Sequence, residues 1–131
     1  MIKKAIRMKL LDGYQELYKK RHDELWPEMV DMLSQHGVQS YEIYLDPKTN
    51  DLFGILEITD EKLWAQASRT KVNQKWWAFM EDIMETNPDS SPVSVSLLNV
   101  FRLEEHKKIS NQKICLKNSK SSGKHWMSFN S

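Results

Sequence analysis

The sequence predicts an α+β fold with the ferredoxin-like order β-α-β-β-α-β, completed by a second copy into a dimeric α/β barrel. Three observations carry this: alternating apolar strands near residues 1–10 and 93–103, one hairpin between them, and two helical stripes in the intervals. A sheet of this order is usually covered by helices on one face only. Its other face needs a partner, and a dimer pairing sheet to sheet supplies one.

Residues 1–10 read as the first strand, with Ile2, Ile6, Met8 and Leu10 on one face and Lys3, Arg7 and Lys9 on the other. Asp12 is the expected N-cap of the first helix. Tyr14, Tyr18, His22, Leu25, Met29 and Leu33 then recur at spacings of three or four, which makes one helix face. Pro27 removes a backbone donor and disfavours helical geometry at Trp26, so the helix kinks or splits there. Gly37 ends it as a C-cap.

YEIYLD (41–46) alternates, with Tyr41, Ile43 and Leu45 on one face, and LFGILEI (52–58) is the next strand. Pro47, Lys48, Thr49 and Asn50 form the turn of a hairpin. Asp60 caps a helix carrying Leu63, Trp64 and Ala67, and SRTK (68–71) is a pause. Val72, Trp76, Phe79, Met80 and Ile83 form the second stripe. NPDSSP (87–92) is a loop, and Val93–Leu103 is the final strand.

This places one ferredoxin-like domain at residues 1–103. Residues 104–131 are rich in Ser, Lys and Asn without a clear period, and are expected to form a basic, flexible, solvated tail. HWMSF (125–129) offers an alternative, a short apolar hook docked on the domain. No internal repeat is present.

Net charge is +1, unevenly spread: from Glu104 onward two acids and six lysines give +4, leaving −3 on residues 1–103. No basic nucleic-acid patch is evident in that body. No apolar run is long enough to span a bilayer. MIKKAIRMKL is basic but lacks the apolar core and cleavage site of a signal peptide. Cys115, the single cysteine, has no partner for an internal disulfide, so a reducing, cytoplasmic setting is expected.

His22 is the candidate for chemistry. It lies on an apolar stripe one turn after Tyr18, where a boundary histidine is the plainer alternative. With a pKa near 6.5, an imidazole can give or take a proton at working pH. Tyr41 reads either as a core tyrosine or as a hydroxyl presented to a ligand. Trp76 and Trp77 are about a quarter turn apart on a helix. They suit core packing, and flat rings of this kind also stack against the C–H faces of a sugar. His22 has no second metal ligand at helical spacing, since Trp26 stands at i+4. His36 is expected near solvent at a helix end, and His106 and His125 lie in the tail. There is no metal motif, Gly-rich phosphate loop, G-x-S-x-G or catalytic cysteine context, so no cofactor is expected. One acid/base group, tyrosine hydroxyls and an aromatic floor suit proton transfer on a small polar ring.

The chain resembles the L-rhamnose mutarotase family. The resemblance runs through MIKKAIRMKL, YKKRHDELWPEM, YEIYLD, QKWWAFMEDIM, NPDSSPVS and VFRL, in order, from residue 1 to about 103. It implies the same fold, a homodimer, no cofactor and a monosaccharide substrate, L-rhamnose, whose α and β anomers are interconverted. Carried over by position, His22 is the implied proton donor, and Tyr18, Tyr41, Trp76 and Trp77 are implied substrate-binding residues. Residues 104–131 lie outside the resemblance. The fold itself leaves three rivals: a haem- or small-ligand-binding barrel with His22 as axial ligand, a cofactor-free monooxygenase, and a structural dimer whose aromatic residues are only core.

Overall fold

A computed structural model describes residues 1–112, with side chains described through residue 107. It comprises a unit Met1–Leu98 and a second unit beginning at Asn99. The expectations for Cys115 and for the hook at 125–129 lie outside the described residues.

In the first unit, β1 (Ile2–Lys9), β2 (Val38–Asp46), β3 (Asp51–Ile58) and β4 (Val95–Ser96) form one sheet in the order β2-β3-β1-β4. All neighbours are antiparallel. This is the expected ferredoxin-like arrangement. Each helical crossover is split: α1 (Gln15–Asp23) and α2 (Pro27–Gln35) in the first, α3 (Glu61–Ala65) and α4 (Lys71–Met80) in the second.

The splits follow from local chemistry. Trp26 is extended at φ −61° and ψ 137°, and Pro27 opens α2, where its missing N–H costs nothing. Gly37, at φ +86°, closes the α2 end in the left-handed region. A Cβ there would also meet Thr59 Oγ1 at 2.6 Å. The Asp60 side chain accepts the Lys62 N–H at 2.8 Å and starts α3. A 3₁₀ turn at Ala67–Arg69 is the expected pause, and Thr70 Oγ1 accepts the Asn73 N–H to start α4.

The expected Asp12 cap is not formed. Gly13, at φ +89°, turns the chain first, and Tyr14 precedes α1 without a side-chain cap. Asp12 instead accepts Asn50 Nδ2 at 2.5 Å, and Gln15 Nε2 donates to Asn50 Oδ1 at 2.8 Å. Asn50, at φ 65°, is the left-handed residue of the β2–β3 turn, so these bonds tie the hairpin tip to the start of α1.

The core lies between the helices and one sheet face. Leu10, Leu52, Leu56, Ile58 and Ile83 are fully enclosed, with Met29, Met32, Trp76 and Met80 contributed by the helices. The strand parity expected for β1 holds. The opposite face carries Ala5, Tyr44, Phe53, Ile55, Val95 and Leu97. Tyr44 is 56% exposed and Val95 44% exposed.

The final strand departs from expectation. Only Val95–Ser96 is a strand, opposite Ile6 and Arg7, with one further bond from the Leu97 N–H to the Ala5 carbonyl. Leu98 is 87% exposed. An edge segment with one neighbour and nothing over its apolar side chains gains little from remaining extended. In the second unit, Leu103–Gln112 is helical (α5), with the Phe101 ring stacked on His106 at 5.2 Å.

Candidate active site

α1 places Tyr18 and His22 one turn apart facing the sheet. Tyr18 is buried and His22 half-buried, with ring centroids 4.2 Å apart. His22 Nδ1 lies 3.0 Å from the Tyr18 carbonyl oxygen. A carbonyl only accepts, so Nδ1 carries the hydrogen and donates it. In the neutral ring, Nε2 then holds the lone pair. Burial pushes the His22 pKa below its ordinary value, against the opposing pull of the Tyr18 carbonyl and Asp23. The resting imidazole is therefore neutral at pH 7, with Nε2 as a base.

α4 forms the facing wall. Trp76 meets His22 edge-on at 5.3 Å and 88°. Trp76 is 7% exposed, held by Trp26 at 5.1 Å and Phe79 at 5.6 Å. The break at Trp26–Pro27 is what lets Trp26 leave the helical path and pack there. Trp77, the next residue on α4, is half-buried and lines the same cavity.

Arg21 joins the two walls. Its guanidinium donates to the Phe79 carbonyl at 2.7 Å and to both Asp82 carboxylate oxygens at 2.9 and 3.2 Å. It also lies over the Phe79 ring at 4.3 Å.

Tyr41 enters from β2 on the helix-covered face, opposite Leu56. Burial pushes its phenol pKa up. Tyr18 is also pushed up, first by burial and then by the neighbouring Tyr41. Both phenols therefore keep their protons at neutral pH, the form that is able to donate a hydrogen bond.

These five residues, Tyr18, His22, Tyr41, Trp76 and Trp77, line one cavity of about 1150 Å³. That is somewhat larger than the roughly 300–1,000 Å³ of ordinary small-molecule sites. Ile6, Met8 and Leu52 contribute apolar surface, while Asn73, Asn87 and Ser91 add polar groups. Asn73 is buried on α4 and donates to the Ala67 carbonyl at 3.2 Å. The NPDSSP loop, expected only as a connection, thus contributes to the cavity wall. The only signal in the sequence was its Asn and Ser residues; in the structure Ser90 is left-handed at φ 72°. Trp26, Phe79 and Arg21 support the site without having been foreseen, because their roles depend on how α1 and α4 meet. His36 is half-buried rather than facing solvent, its Nδ1 donating to the Met32 carbonyl at 2.8 Å.

The fold and cavity define a class: a ferredoxin-like protein with a small-ligand pocket built around one histidine, two protonated tyrosines and tryptophan. Comparison with known proteins narrows it. The sequence model described as "L-rhamnose mutarotase" matches residues 3–103. An L-rhamnose mutarotase of Lachnoclostridium phytofermentans is 54% identical over 104 residues, 79% of this chain and 100% of the relative. One of Enterococcus faecalis is 53% identical over 103 residues, again 79% of this chain and 100% of the relative. The crystal structure of L-rhamnose mutarotase from Formosa agariphila superposes with a TM-score of 0.72 at 41% identity, covering 78% of this chain and 98% of that one. An antibiotic biosynthesis monooxygenase shares the fold alone, with a TM-score of 0.53 at 14% identity over 77% of this chain and 100% of that one. The chain belongs to the L-rhamnose mutarotase family.

Proposed function

We propose that this chain is an L-rhamnose mutarotase, interconverting the α and β anomers with His22 as the acid/base group. Family membership supports the reaction and the sugar. The single observation supporting the chemistry is the His22 ring: Nδ1 is engaged by the Tyr18 carbonyl at 3.0 Å, leaving Nε2 for a ligand in the cavity.

Mutarotation opens the pyranose ring, rotates the aldehyde about C1–C2, and closes the ring on the other face. In opening, the anomeric hydroxyl loses its proton, O1 becomes the carbonyl oxygen, the C1–O5 bond breaks, and O5 gains a proton. A neutral His22 must acquire the proton that it gives. Nε2 takes it from the anomeric hydroxyl and, as imidazolium, donates to O5. Both oxygens sit on C1, so one ring can serve both. Closure is the reverse on the rotated carbonyl, and nothing is consumed.

In this reading Tyr18 and Tyr41 donate hydrogen bonds to sugar oxygens. Trp77 stacks on the apolar face of the sugar. Trp76 adds its accessible edge and holds the His22 ring. The domain spans residues 1–103, supported by the family match ending at residue 103, with 104–131 a separate basic extension. The chain acts as a homodimer, its open sheet face covered by a second copy, supported by exposed Tyr44, Ile55, Val95 and Leu97 on that face. The setting is cytoplasmic, in keeping with a sugar-metabolising family and one cysteine. Among the described residues, no helix is long and apolar enough to cross a membrane.

The test is polarimetry on freshly dissolved α-L-rhamnose. The approach to equilibrium rotation should accelerate in proportion to protein, and His22→Gln should lose roughly 10²–10⁴-fold of that acceleration. A wild-type rate equal to the spontaneous one would reject the proposal.

A further inference from the structure

Gly54 occupies the middle of β3, opposite Ile6 of β1 on one side and Ile43 of β2 on the other. A glycine inside a central strand weakens it, because it adds chain entropy to the unfolded state and no side chain to the core. Its backbone does not need glycine, for Gly54 is not among the positive-φ residues. The explanation is space. A Cβ on Gly54 would stand 3.3 Å from Tyr41 Cε1 and 3.2 Å from Ile6 Cγ1. Tyr41 faces Leu56, so Gly54 is its diagonal neighbour on the helix-covered face, within reach of an aromatic ring.

We propose that Gly54 is a positioning residue for the substrate: the space of its missing side chain seats the Tyr41 ring, and this sets where the Tyr41 hydroxyl meets the sugar. The inference rests on the reading of Tyr41 as a substrate-binding residue. Ile6 closes the other side of the seat, its Cδ1 lying 3.6 Å from the same Cβ position. The Ile6 Cγ1 and Tyr41 Cε1 contacts are both tighter than ordinary van der Waals distance, so a methyl at residue 54 must displace both neighbours by a few tenths of an ångström. Ile6 and Tyr41 both line the cavity, so each can give into it, and the shift of the Tyr41 ring carries its hydroxyl with it. The three atoms nearest that Cβ position belong to Ile6 and Tyr41, none to His22, so the effect falls on binding rather than on turnover.

The experiment is a double-mutant cycle in L-rhamnose turnover with Gly54→Ala, Tyr41→Phe and both together. Since misplacement by about 1 Å can cost on the order of 10²-fold, the smaller shift here should raise KM roughly three- to tenfold, with kcat within about twofold. In the Tyr41→Phe background, where no hydroxyl is left to misplace, Gly54→Ala should change KM by less than about twofold. Equal effects of Gly54→Ala in both backgrounds, or none in either, would overturn the proposal. Tyr41→Phe raising KM while Gly54→Ala is silent overturns this inference alone. Tyr41→Phe leaving KM unchanged overturns the reading of Tyr41, and the inference with it. If Gly54→Ala does not fold, the same cycle is run in Ile6→Ala, which removes Cγ1 and Cδ1 and leaves the contact with Tyr41. The same KM pattern is expected there.

Discussion

Arg21→Met tests how the two walls of the cavity are held together. The Arg21 side chain is 14% exposed and contacts the Phe79 carbonyl, the Phe79 ring, the Met80 sulfur and Asp82, whereas the Asp82 side chain is 61% exposed. The ion pair with so exposed a partner is worth little, about 0.2–1 kcal/mol. The charge-assisted bond to the Phe79 carbonyl contributes roughly 1 kcal/mol or more, and the guanidinium over the Phe79 ring about 0.5–1 kcal/mol. Methionine keeps most of the packing of the stem. Arg21→Met should therefore cost about 2 kcal/mol. At roughly 4–8 °C per kcal/mol for a domain of this size, that is about 8–16 °C in Tm. Asp82→Asn removes only the ion pair and should cost under about 1 kcal/mol. The pH dependence separates the two variants. The hydrogen bond from Arg21, then its charge, holds the Asp82 carboxyl below the usual carboxylate range. Its contribution is therefore complete above the unfolded value near 3.9 and lost as pH falls through the folded value. Thermal unfolding by circular dichroism should show the Asp82→Asn gap at pH 6 closing below about pH 4, with most of the Arg21→Met gap remaining. A loss below about 3 °C for Arg21→Met, or one equal to that of Asp82→Asn, would refute the reasoning.

His22 has a folded pKa below its ordinary value of 6.5, chiefly through burial, so protonation favours the unfolded chain. Stability should fall as pH drops below about 6.5, and His22→Gln should lessen that fall. The acid limb of kcat/KM should lie below pH 6.5, with no loss of rate between pH 7 and 8; a midpoint above 6.5 would contradict it. Trp77→Ala should fold normally and raise KM for L-rhamnose up to about tenfold, as expected from a lost stacking contact of about 0.5–1.5 kcal/mol. Trp76→Ala should instead cost about 3–5 kcal/mol of stability, read from denaturant unfolding, because its ring is buried in the Trp26–Phe79 cluster. Ile55→Lys, on the open sheet face, should shift the mass in sedimentation from twice the 15.5 kDa chain toward the single chain.

Much of the fold was legible because it rests on local chemistry. Parity in β1, Pro27 after an extended Trp26, Gly37 as a C-cap and Asp60 as an N-cap each act within a few residues. Asp12 misled because Gly13 turns the chain before α1 begins, a left-handed conformation that the residue before it does not reveal. The final strand was read too long because apolar alternation records what a segment can bury, not whether a neighbour is present to bury it. Leu98 is apolar and 87% exposed. Tyr18, His22, Tyr41, Trp76 and Trp77, which the motifs single out, line one cavity. The pairing of His22 Nδ1 with a carbonyl, the seat at Gly54 and the Arg21 clamp were not legible. Each depends on contacts whose partners a one-dimensional pattern does not specify.

The most direct measurement is NMR saturation transfer on L-rhamnose at anomeric equilibrium, irradiating one anomeric proton and observing the other. The account predicts that catalytic amounts of wild-type protein transfer saturation and that folded His22→Ala does not. Transfer by His22→Ala within tenfold of wild type would contradict the assignment of His22 as the acid/base group, since such a group typically contributes on the order of 10²–10⁴-fold.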